Sequence, residues 1–388
     1  MTPLMTSFGA LGALGLTALH MPPRCPPPTM FSGSGTAFPE GFDPNYFPSD
    51  TRTFAGAVAT PIKKDATTGA APAASPTDEL DALIAAFDFE ESTDTQVAAC
   101  EAAVFSCIRR EASPLASSWL TAGLVQRCIL QHDALPEALA SLLSGKVSEV
   151  LAGAFAYSTV GGARAESATA EEALRDTMAR RLSEPKIRRA VVSDLLKVLV
   201  VDPAADGLLQ PMLFFKGFHA LVVHRVAHSL WLDGGAASQG AALLLQSRCA
   251  ELFGVDIHPA ATIGNGVMLD HATGVVIGST AIVGSDVYML HGVTLGATGK
   301  PTGGKKRHPT VGSRVVLGAG STVLGDIVVG DECTVGASAI VTKGVPDGAT
   351  VIGVNKVVSR EDVKPKEKAK PGEEPPPPVD DYTWMFDI

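Results

Sequence analysis

Aromatic residues and paired cysteines are scarce in this chain of 388 residues. Phe, Trp and Tyr together make up 6% of it, so we expect a core of small aliphatic side chains. The six cysteines form no CxxC pair, and their spacing fits neither a zinc site nor a disulfide framework. We therefore predict reduced, mostly buried thiols and no bound metal.

Positive charge and long apolar runs are also in short supply. The chain has 31 Lys and Arg against 41 Asp and Glu, a formal net charge of −10. This balance argues against a chain-wide nucleic-acid-binding surface, which would need a basic face. No apolar run reaches about 18 residues, the length needed to cross a bilayer. We expect neither nucleic acid nor a membrane as a partner.

The first 77 residues are rich in proline and poor in acidic residues. Residues 1–77 hold 12 of the 27 prolines, and the first acidic residue is Glu40. Such a segment buries too little apolar surface to offset its ordering entropy, which predicts disorder. An acid-poor, hydroxyl-rich start is typical of an organelle transit peptide. We expect a chloroplast protein; the cytosol, a mitochondrion and an ordinary disordered tail are the alternatives.

Residues 78–253 have the periodicity of a helical domain. The apolar stretch 213–232 is predicted to form one helix that stops at Gly234-Gly235, and a further helix is predicted to end at Gly254. An apolar face at helical spacing is formed near the start by Leu80, Leu83, Ile84 and Phe87.

Composition changes sharply after this helical region. Residues 255–358 contain 19 of the 39 glycines, a single tyrosine (Tyr288) and neither Phe nor Trp. Aliphatic residues recur here every six positions, with one phase slip of two residues and one break at 299–310. The recurring residues are Ile257, Ile263, Leu269, Val275, Ile277, Val283, Met289, Leu295, Val311, Leu317, Val323, Val329, Val335 and Val341.

A period of six fits a solenoid with a triangular cross-section. Each hexapeptide forms one flat side and a turn, its aliphatic residue points into a narrow shaft, and glycine allows the tight corners. Large aromatic side chains would not fit that shaft, which accounts for their absence. We predict an α+β protein in which a left-handed parallel β-helix of hexapeptide repeats, residues 254–358, follows the helical domain.

Residues 359–388 join a charged, Pro-rich linker to an apolar end. The run KPKEKAKPGEEPPPP predicts a disordered, extended tether. The final DYTWMFDI places aromatic residues on an otherwise polar tail, which is typical of a docking peptide. An accidental apolar end is the alternative.

The chain resembles the serine O-acetyltransferases of plant and bacterial cysteine biosynthesis, closely over 200–358 and loosely before. Hexapeptide repeats alone would indicate only a wider transferase superfamily, but the combination of MLDHATG, DIHPAA and a later RHP is far more specific. The strings that carry the resemblance are Asp202-Pro-Ala, Lys216-Gly-Phe-His-Ala, Val255-Asp-Ile-His-Pro-Ala-Ala, Met268-Leu-Asp-His-Ala-Thr-Gly, Val293-Thr-Leu-Gly and Arg307-His-Pro.

The resemblance implies acetyl transfer from the co-substrate acetyl-CoA to the hydroxyl of L-serine. An alkanol needs a base that removes its proton while the thioester is attacked, and a neutral imidazole suits this task. His271 matches the family's base, and Asp256 matches the carboxylate that orients it. Because Asp256 lies 15 residues before His271, close to one coil of about 18 residues, we expect stacked coils to bring them together. A solvated histidine and a capping aspartate are the alternatives.

The resemblance also assigns the two substrate pockets. Asp202 and Asp270 match the acids around the amino acid, and Arg307 and His308 match the pair at its carboxylate and reacting side, where a planar guanidinium fits well. A turn acid before a proline and one more loop charge are the alternatives for Asp202 and Arg307. CoA contacts match Thr298, Gly318, Ala319 and Ala337, although tight turns alone would explain small residues there.

Assembly and partners follow from the same resemblance. It implies a homotrimer or a dimer of trimers with active sites between subunits, and the loop 299–308 is expected to reach a neighbour or the CoA phosphates. Family members end in an isoleucine that enters O-acetylserine sulfhydrylase, and Ile388 fits this role. L-cysteine is expected as a feedback inhibitor because it resembles serine. The alternatives are a hexapeptide acyltransferase with another acceptor and a silent regulatory subunit of a cysteine synthase complex.

Overall fold

The computed structural model describes residues 91–148, 167–299 and 306–358. The predicted disordered segments 1–77 and 359–388, the apolar face at 80–87 and residues 300–305 of the loop lie outside the described residues. No helix in the described ranges is both long and apolar enough to cross a membrane.

The N-terminal part of the described chain is helical, as predicted. The helices are α1 (Asp94–Ala112), α2 (Ala122–Val125), α3 (Leu135–Ser148), α4 (Ser167–Leu182), α5 (Pro185–Val201), α6 (Leu209–Phe214), α7 (Lys216–Asp233) and α8 (Ala236–Phe253). A short 3-10 helix (Ser113–Ser117) follows α1, and a π-helical turn (Gln126–Leu130) follows α2.

Local sequence signals explain where several of these helices begin and end. Thr93 and Gln96 form a capping box at the start of α1. The glycines at the ends of α7 and α8 have positive φ angles of 72° at Gly234 and 68° at Gly254, which confirms both predicted stops. The prediction of a single helix over 213–232 is wrong. The backbone is extended at Phe215, and this residue separates α6 from α7.

The C-terminal part is a parallel β-helix of five coils. Its strands are β1 (Val255–Ile257), β2 (Thr262–Ile263), β3 (Met268–Leu269), β4 (Val275–Ile277), β5 (Ile282–Val283), β6 (Tyr288–Met289), β7 (Thr294–Gly296), β8 (Thr310–Val311), β9 (Val316–Leu317), β10 (Thr322–Leu324), β11 (Val328–Val329), β12 (Thr334–Val335), β13 (Ile340–Val341), β14 (Thr350–Ile352) and β15 (Lys356–Val358). Sheet 1 has the order β1-β4-β7-β10-β13, sheet 2 β11-β8-β5-β2 and sheet 3 β15-β14-β12-β9-β6-β3. Only β15 runs antiparallel to its neighbour among these described strands.

The aliphatic positions of the repeat fill the shaft, as the period predicted. All of the recurring residues are buried except Ile263, which is partly exposed in the first coil. Coil stacking also requires some of the glycines. A Cβ on Gly264 would lie 2.6 Å from the carbonyl carbon of Gly284, and a Cβ on Gly284 would lie equally close to Gly312. Only glycine lets the backbones stack this closely at that corner.

Buried charges join the helical domain to the β-helix. Asp194 of α5 is fully buried and accepts hydrogen bonds from Arg225 of α7 at 2.6 and 2.8 Å. Asp194 also accepts from the backbone N–H of Val267 at 2.8 Å, while Arg225 donates to the carbonyl of Gly264 at 2.8 Å. Lys197, one turn further along α5, pairs with Asp286 of the second coil. These contacts fix the direction in which α5 runs toward its end at Val201, directly before Asp202.

Five cysteines lie in the described residues, and all are buried free thiols, as expected. Burial raises the pKa of the Cys100 and Cys249 thiols to about 12, which keeps them protonated and unreactive.

Candidate active site

Charged and polar side chains gather at both edges of sheet 1. The edge where sheet 3 turns into sheet 1 carries a group that we call the base cluster, consisting of Asp202, Asp270, His271 and Tyr288. The edge where sheet 1 turns into sheet 2 adjoins a second group, the arginine cluster, consisting of Asp256, His258, Arg307 and His308. Every predicted catalytic and serine-binding residue belongs to one of these two clusters.

His271 projects from a strained turn between β3 and β4. His271 and Ala272 both have left-handed backbones, with φ angles of 54° and 56°, a conformation that costs energy in residues other than glycine. Hydrogen bonds from the N–H of Ala272 to the carbonyl of Asp270 and from Thr273 to His271 close the turn at 2.6 and 2.7 Å. The imidazole is 78% exposed, so it faces outward where a substrate can reach it.

Asp270 links this imidazole to a tyrosine in the next coil. Its Oδ1 lies 3.8 Å from Nε2 of His271, and its Oδ2 accepts a hydrogen bond from the hydroxyl of Tyr288 at 2.8 Å. Burial, then the hydrogen bond to Asp270 and the charges of Asp270 and Asp202, raise the pKa of Tyr288. Tyr288 therefore remains a protonated donor at neutral pH and holds the Asp270 carboxylate in place.

Asp202 joins the base cluster from the helical domain. It follows α5 directly, and its Oδ1 accepts from the N–H of Ala204 at 2.9 Å. The charge of its carboxylate contributes to the raised pKa of Tyr288. Asp202 thus forms the turn that was the alternative interpretation and also contributes negative charge to the base cluster.

The expected stacking of Asp256 beneath His271 is wrong within one chain. The first coil is 20 residues long, since Val255 pairs with Val275, and Asp256 therefore pairs with Val276. The turn at His271 lengthens this coil beyond three hexapeptides. The carboxylate of Asp256 instead accepts a hydrogen bond from Nε2 of Gln246, on α8, at 2.6 Å.

His258 connects Asp256 electrostatically to Arg307. Burial lowers the pKa of His258, the charge of Arg307 lowers it further, and the charge of Asp256 opposes both. The charges of Asp256 and Arg307 therefore both act on His258, with opposite signs.

His308 is the buried member of the arginine cluster. Its Nδ1 accepts from the backbone N–H of Thr280 at 3.1 Å, and the hydroxyl oxygen of Thr280 accepts from the N–H groups of Arg307 and His308 at 3.1 Å each. A Cβ on Gly278 would lie 2.0 Å from Nε2 of His308, so glycine makes room for the ring. Burial and the charges of Arg307, His258 and Lys306 lower the pKa of His308. The ring is therefore neutral at pH 7.

The predicted CoA contacts lie along the coils that follow His271. Gly318, Ala319 and Ala337 lie in the later turns between sheets 3 and 1, and Thr298 follows β7. A Cβ on Gly318 would lie 2.5 Å from the backbone nitrogen of Ala337, so coil stacking alone requires that glycine. The alanines lie in turns along the same edge as the base, and their small side chains leave that edge open. Ile388 lies outside the described residues.

Sequence reasoning missed three residues that hold the predicted ones. Tyr288 is the only aromatic residue of the repeat region, and since it cannot enter the shaft, that rarity was a usable signal. Thr280 and Gln246 carried no comparable signal. Each of them contacts a residue in another structural element, and the number of residues between the two elements follows no repeat. Among the described residues, no group of three or more His, Cys, Asp or Glu is placed to hold a metal ion.

Two family models match the chain. The model for the N-terminal part of serine acetyltransferase matches residues 104–222, and the model for six repeats of the bacterial transferase hexapeptide matches residues 308–343.

Curated relatives come from bacteria and plants. The serine acetyltransferase of Buchnera aphidicola is 43% identical over 236 residues, which cover 61% of this chain and 79% of the relative. The probable serine acetyltransferase 4 of rice is 47% identical over 226 residues, covering 58% of this chain and 65% of the relative.

Solved structures share the fold. Soybean serine acetyltransferase complexed with serine is 38% identical, has a TM-score of 0.58 and is 99% covered, against 67% of this chain. A serine acetyltransferase in complex with cysteine is 37% identical, with a TM-score of 0.58 and coverages of 66% of this chain and 98% of that one. The Brucella abortus enzyme in complex with coenzyme A is 34% identical, with a TM-score of 0.57 and coverages of 66% and 95%.

Proposed function

The chain belongs to the serine acetyltransferase family, and from this premise we propose how its own residues carry out the reaction. It transfers the acetyl group of acetyl-CoA to the hydroxyl of L-serine, the first step of cysteine biosynthesis from serine. The family matches thereby confirm the resemblance that the sequence motifs indicated.

His271 is the general base in this proposal. Its Nε2 takes the proton from the serine hydroxyl while the serine oxygen attacks the acetyl carbonyl carbon, and the carbon–sulfur bond of acetyl-CoA then breaks. The imidazolium returns its proton to the departing thiolate, so that free CoA leaves as the thiol. The observation that carries this assignment is the 78% exposed imidazole held outward beside the oriented carboxylate of Asp270.

Asp202 and Asp270 bind the serine ammonium. Both are half-buried, and Tyr288 fixes one of them, so their negative charge is presented at a defined place rather than on a mobile surface. The exposed guanidinium of Arg307 supplies the opposite charge for the serine carboxylate, with the neutral ring of His308 beside it.

These two binding groups lie on different edges of sheet 1, so one chain supplies both halves of the site at separate places. We assign the complete site to the interface between copies: the base cluster of one copy faces the arginine cluster of its neighbour. Asp256 of that neighbour then orients His271. Exposed aliphatic side chains on the outer surface of sheet 1, Val276 and Ile340, support burial of this surface in a homotrimer or a dimer of trimers.

Acetyl-CoA lies along the coils after His271 in this proposal. Thr298, Gly318, Ala319 and Ala337 provide a path without large side chains, and the Brucella structure with coenzyme A supports a CoA site in this family. Lys306, whose ammonium hydrogen-bonds to the hydroxyl of Thr310, lies at the end of the loop and adds positive charge for the phosphates.

L-cysteine competes with serine for the same pocket, because the two differ only in thiol and hydroxyl. The structure of a relative in complex with cysteine supports this.

The remaining proposals concern the two ends of the chain. The protein is imported into a chloroplast. Its C-terminal residues, ending in Ile388, dock O-acetylserine sulfhydrylase. Deletion of Ile388 should weaken binding to the sulfhydrylase; an unchanged affinity would remove that role.

Release of CoA thiol from acetyl-CoA, measured with serine and with homoserine, tests the reaction. Serine should be strongly preferred. The variant His271→Ala should lower kcat by about 10²–10⁴-fold, the usual size of a general-base effect. His132→Ala, in the helical domain, is the matched control and should leave kcat unchanged. Normal turnover by His271→Ala would remove the base assignment.

A further inference from the structure

We propose that Gln246 is a positioning residue that fixes the carboxylate of Asp256 for its work on the base. This inference rests on the proposed function of Asp256. It concerns a different part of the chain, since Gln246 belongs to the helical domain and has no place in either cluster.

Gln246 reaches Asp256 from a rigid support. Its neighbours on α8, Leu245 and Cys249, are buried at 3% and 5% exposure, and α8 ends only one residue before β1 begins, at the left-handed Gly254. The amide Nε2 donates to Oδ1 of Asp256 at 2.6 Å. Helix and strand are thus joined by a short turn and cross-linked by this hydrogen bond.

The hydrogen bond fixes the direction of the Asp256 side chain. A hydrogen bond to a carboxylate is stronger than a bond between neutral groups. It occupies Oδ1 and leaves Oδ2 for another partner. Gln246 thereby selects one orientation of the side chain, and without it the carboxylate is free to turn toward His258, whose pKa it already raises.

Few other charges act at this place. His258 follows directly after β1, and the charge of Arg307 acts on it from the loop. On the helical side, His224 of α7 lines the same small cavity as Gln246, and burial keeps its pKa low. The guanidinium of Arg248 on α8 is engaged by Glu251. Among the side chains that the structure describes, Gln246 is the one that hydrogen-bonds to Asp256.

The variant Gln246→Leu removes the donor at nearly constant volume. We expect kcat to fall roughly tenfold, the usual effect of losing a hydrogen bond to a charged group, while KM for serine and acetyl-CoA changes little. Gln239→Leu, about 10 Å away on the same helix, is the matched control and should behave like the wild type. Melting curves of both variants report folding.

The variant Gln246→Glu separates positioning from packing. The carboxyl group that it introduces still donates to Asp256 when it is protonated, whereas the doubly ionised pair repels. The ratio of variant to wild-type kcat should therefore fall as pH rises. A ratio that is flat with pH, or a normal kcat for a folded Gln246→Leu, overturns the inference. If Gln246→Leu does not fold, the Gln246→Glu profile decides alone.

The variant Asp256→Asn distinguishes this inference from the proposed function. A large loss of kcat in Asp256→Asn together with normal turnover in Gln246→Leu overturns the role of Gln246 only. Normal turnover in Asp256→Asn removes the role of Asp256 and this inference with it. If Gln246 acts through Asp256, the double variant should be no slower than Asp256→Asn alone.

Discussion

Two inactive variants of this enzyme should restore each other when they assemble together. His271→Ala damages the base cluster and Asp256→Asn damages the arginine cluster. Each site in the proposed ring takes one cluster from each of two neighbouring copies. When both variants are co-expressed in equal amounts, a given interface joins the intact base cluster of one with the intact arginine cluster of the other in roughly one case in four.

The expected result is therefore about a quarter of the wild-type kcat per site, far above either variant alone. The assay is release of CoA thiol at saturating serine, with the ratio of the two chains measured by intact-protein mass spectrometry. A site built within a single chain gives no recovery, because every chain in the mixture then carries one damaged half.

The matched control pairs two variants of the same cluster. His271→Ala with Asp270→Asn should show no recovery, because no copy in that mixture supplies an intact base cluster. Recovery in this control, or its absence in the first mixture, would refute the assignment of the site to an interface between copies.

Three further predictions concern single side chains. Arg225→Met strands the buried carboxylate of Asp194 and should lower the free energy of unfolding by about 3–5 kcal/mol, measured by chemical denaturation; an unchanged midpoint would contradict the importance of that contact. Tyr288→Phe releases Asp270 and should raise KM for serine severalfold with KM for acetyl-CoA unchanged, as steady-state kinetics would report. Burial and Lys146 lower the pKa of His219 to about 4, so the unfolded chain binds its proton first and the wild type loses stability as pH falls from about 6.5 toward 4. A His219→Gln variant should lose less over that range in urea titrations, and parallel losses would refute the cause.

The sequence period was sufficient to predict the β-helix and its interior. A residue every six positions must point the same way in a triangular coil, so burial of Val283 and Leu317 follows directly from spacing. The glycine stops of α7 and α8 were equally readable, because a left-handed backbone has a strong residue preference. The break at Phe215 was not, since nothing in its neighbours forbids a continuous helix.

The site was only partly predictable, because its geometry depends on the number of residues in each coil. Residues such as His271 and Arg307 could be identified by type and local string. Their mutual placement depended on how many residues each coil contains, and two left-handed residues at one turn made the first coil 20 residues long. Contacts across elements, such as Gln246 with Asp256, depend on helix packing that the local pattern does not encode.

The placement of both clusters beside one sheet has a consequence for stoichiometry. In the proposed interface site, each copy offers one half-site on each side, so a closed ring of three leaves no half unmatched. Two copies joined head to tail would complete only one site and leave the other two halves unpaired. Specific activity should then depend on enzyme concentration. Dilution below the dissociation constant of the ring should abolish catalytic activity without unfolding any chain.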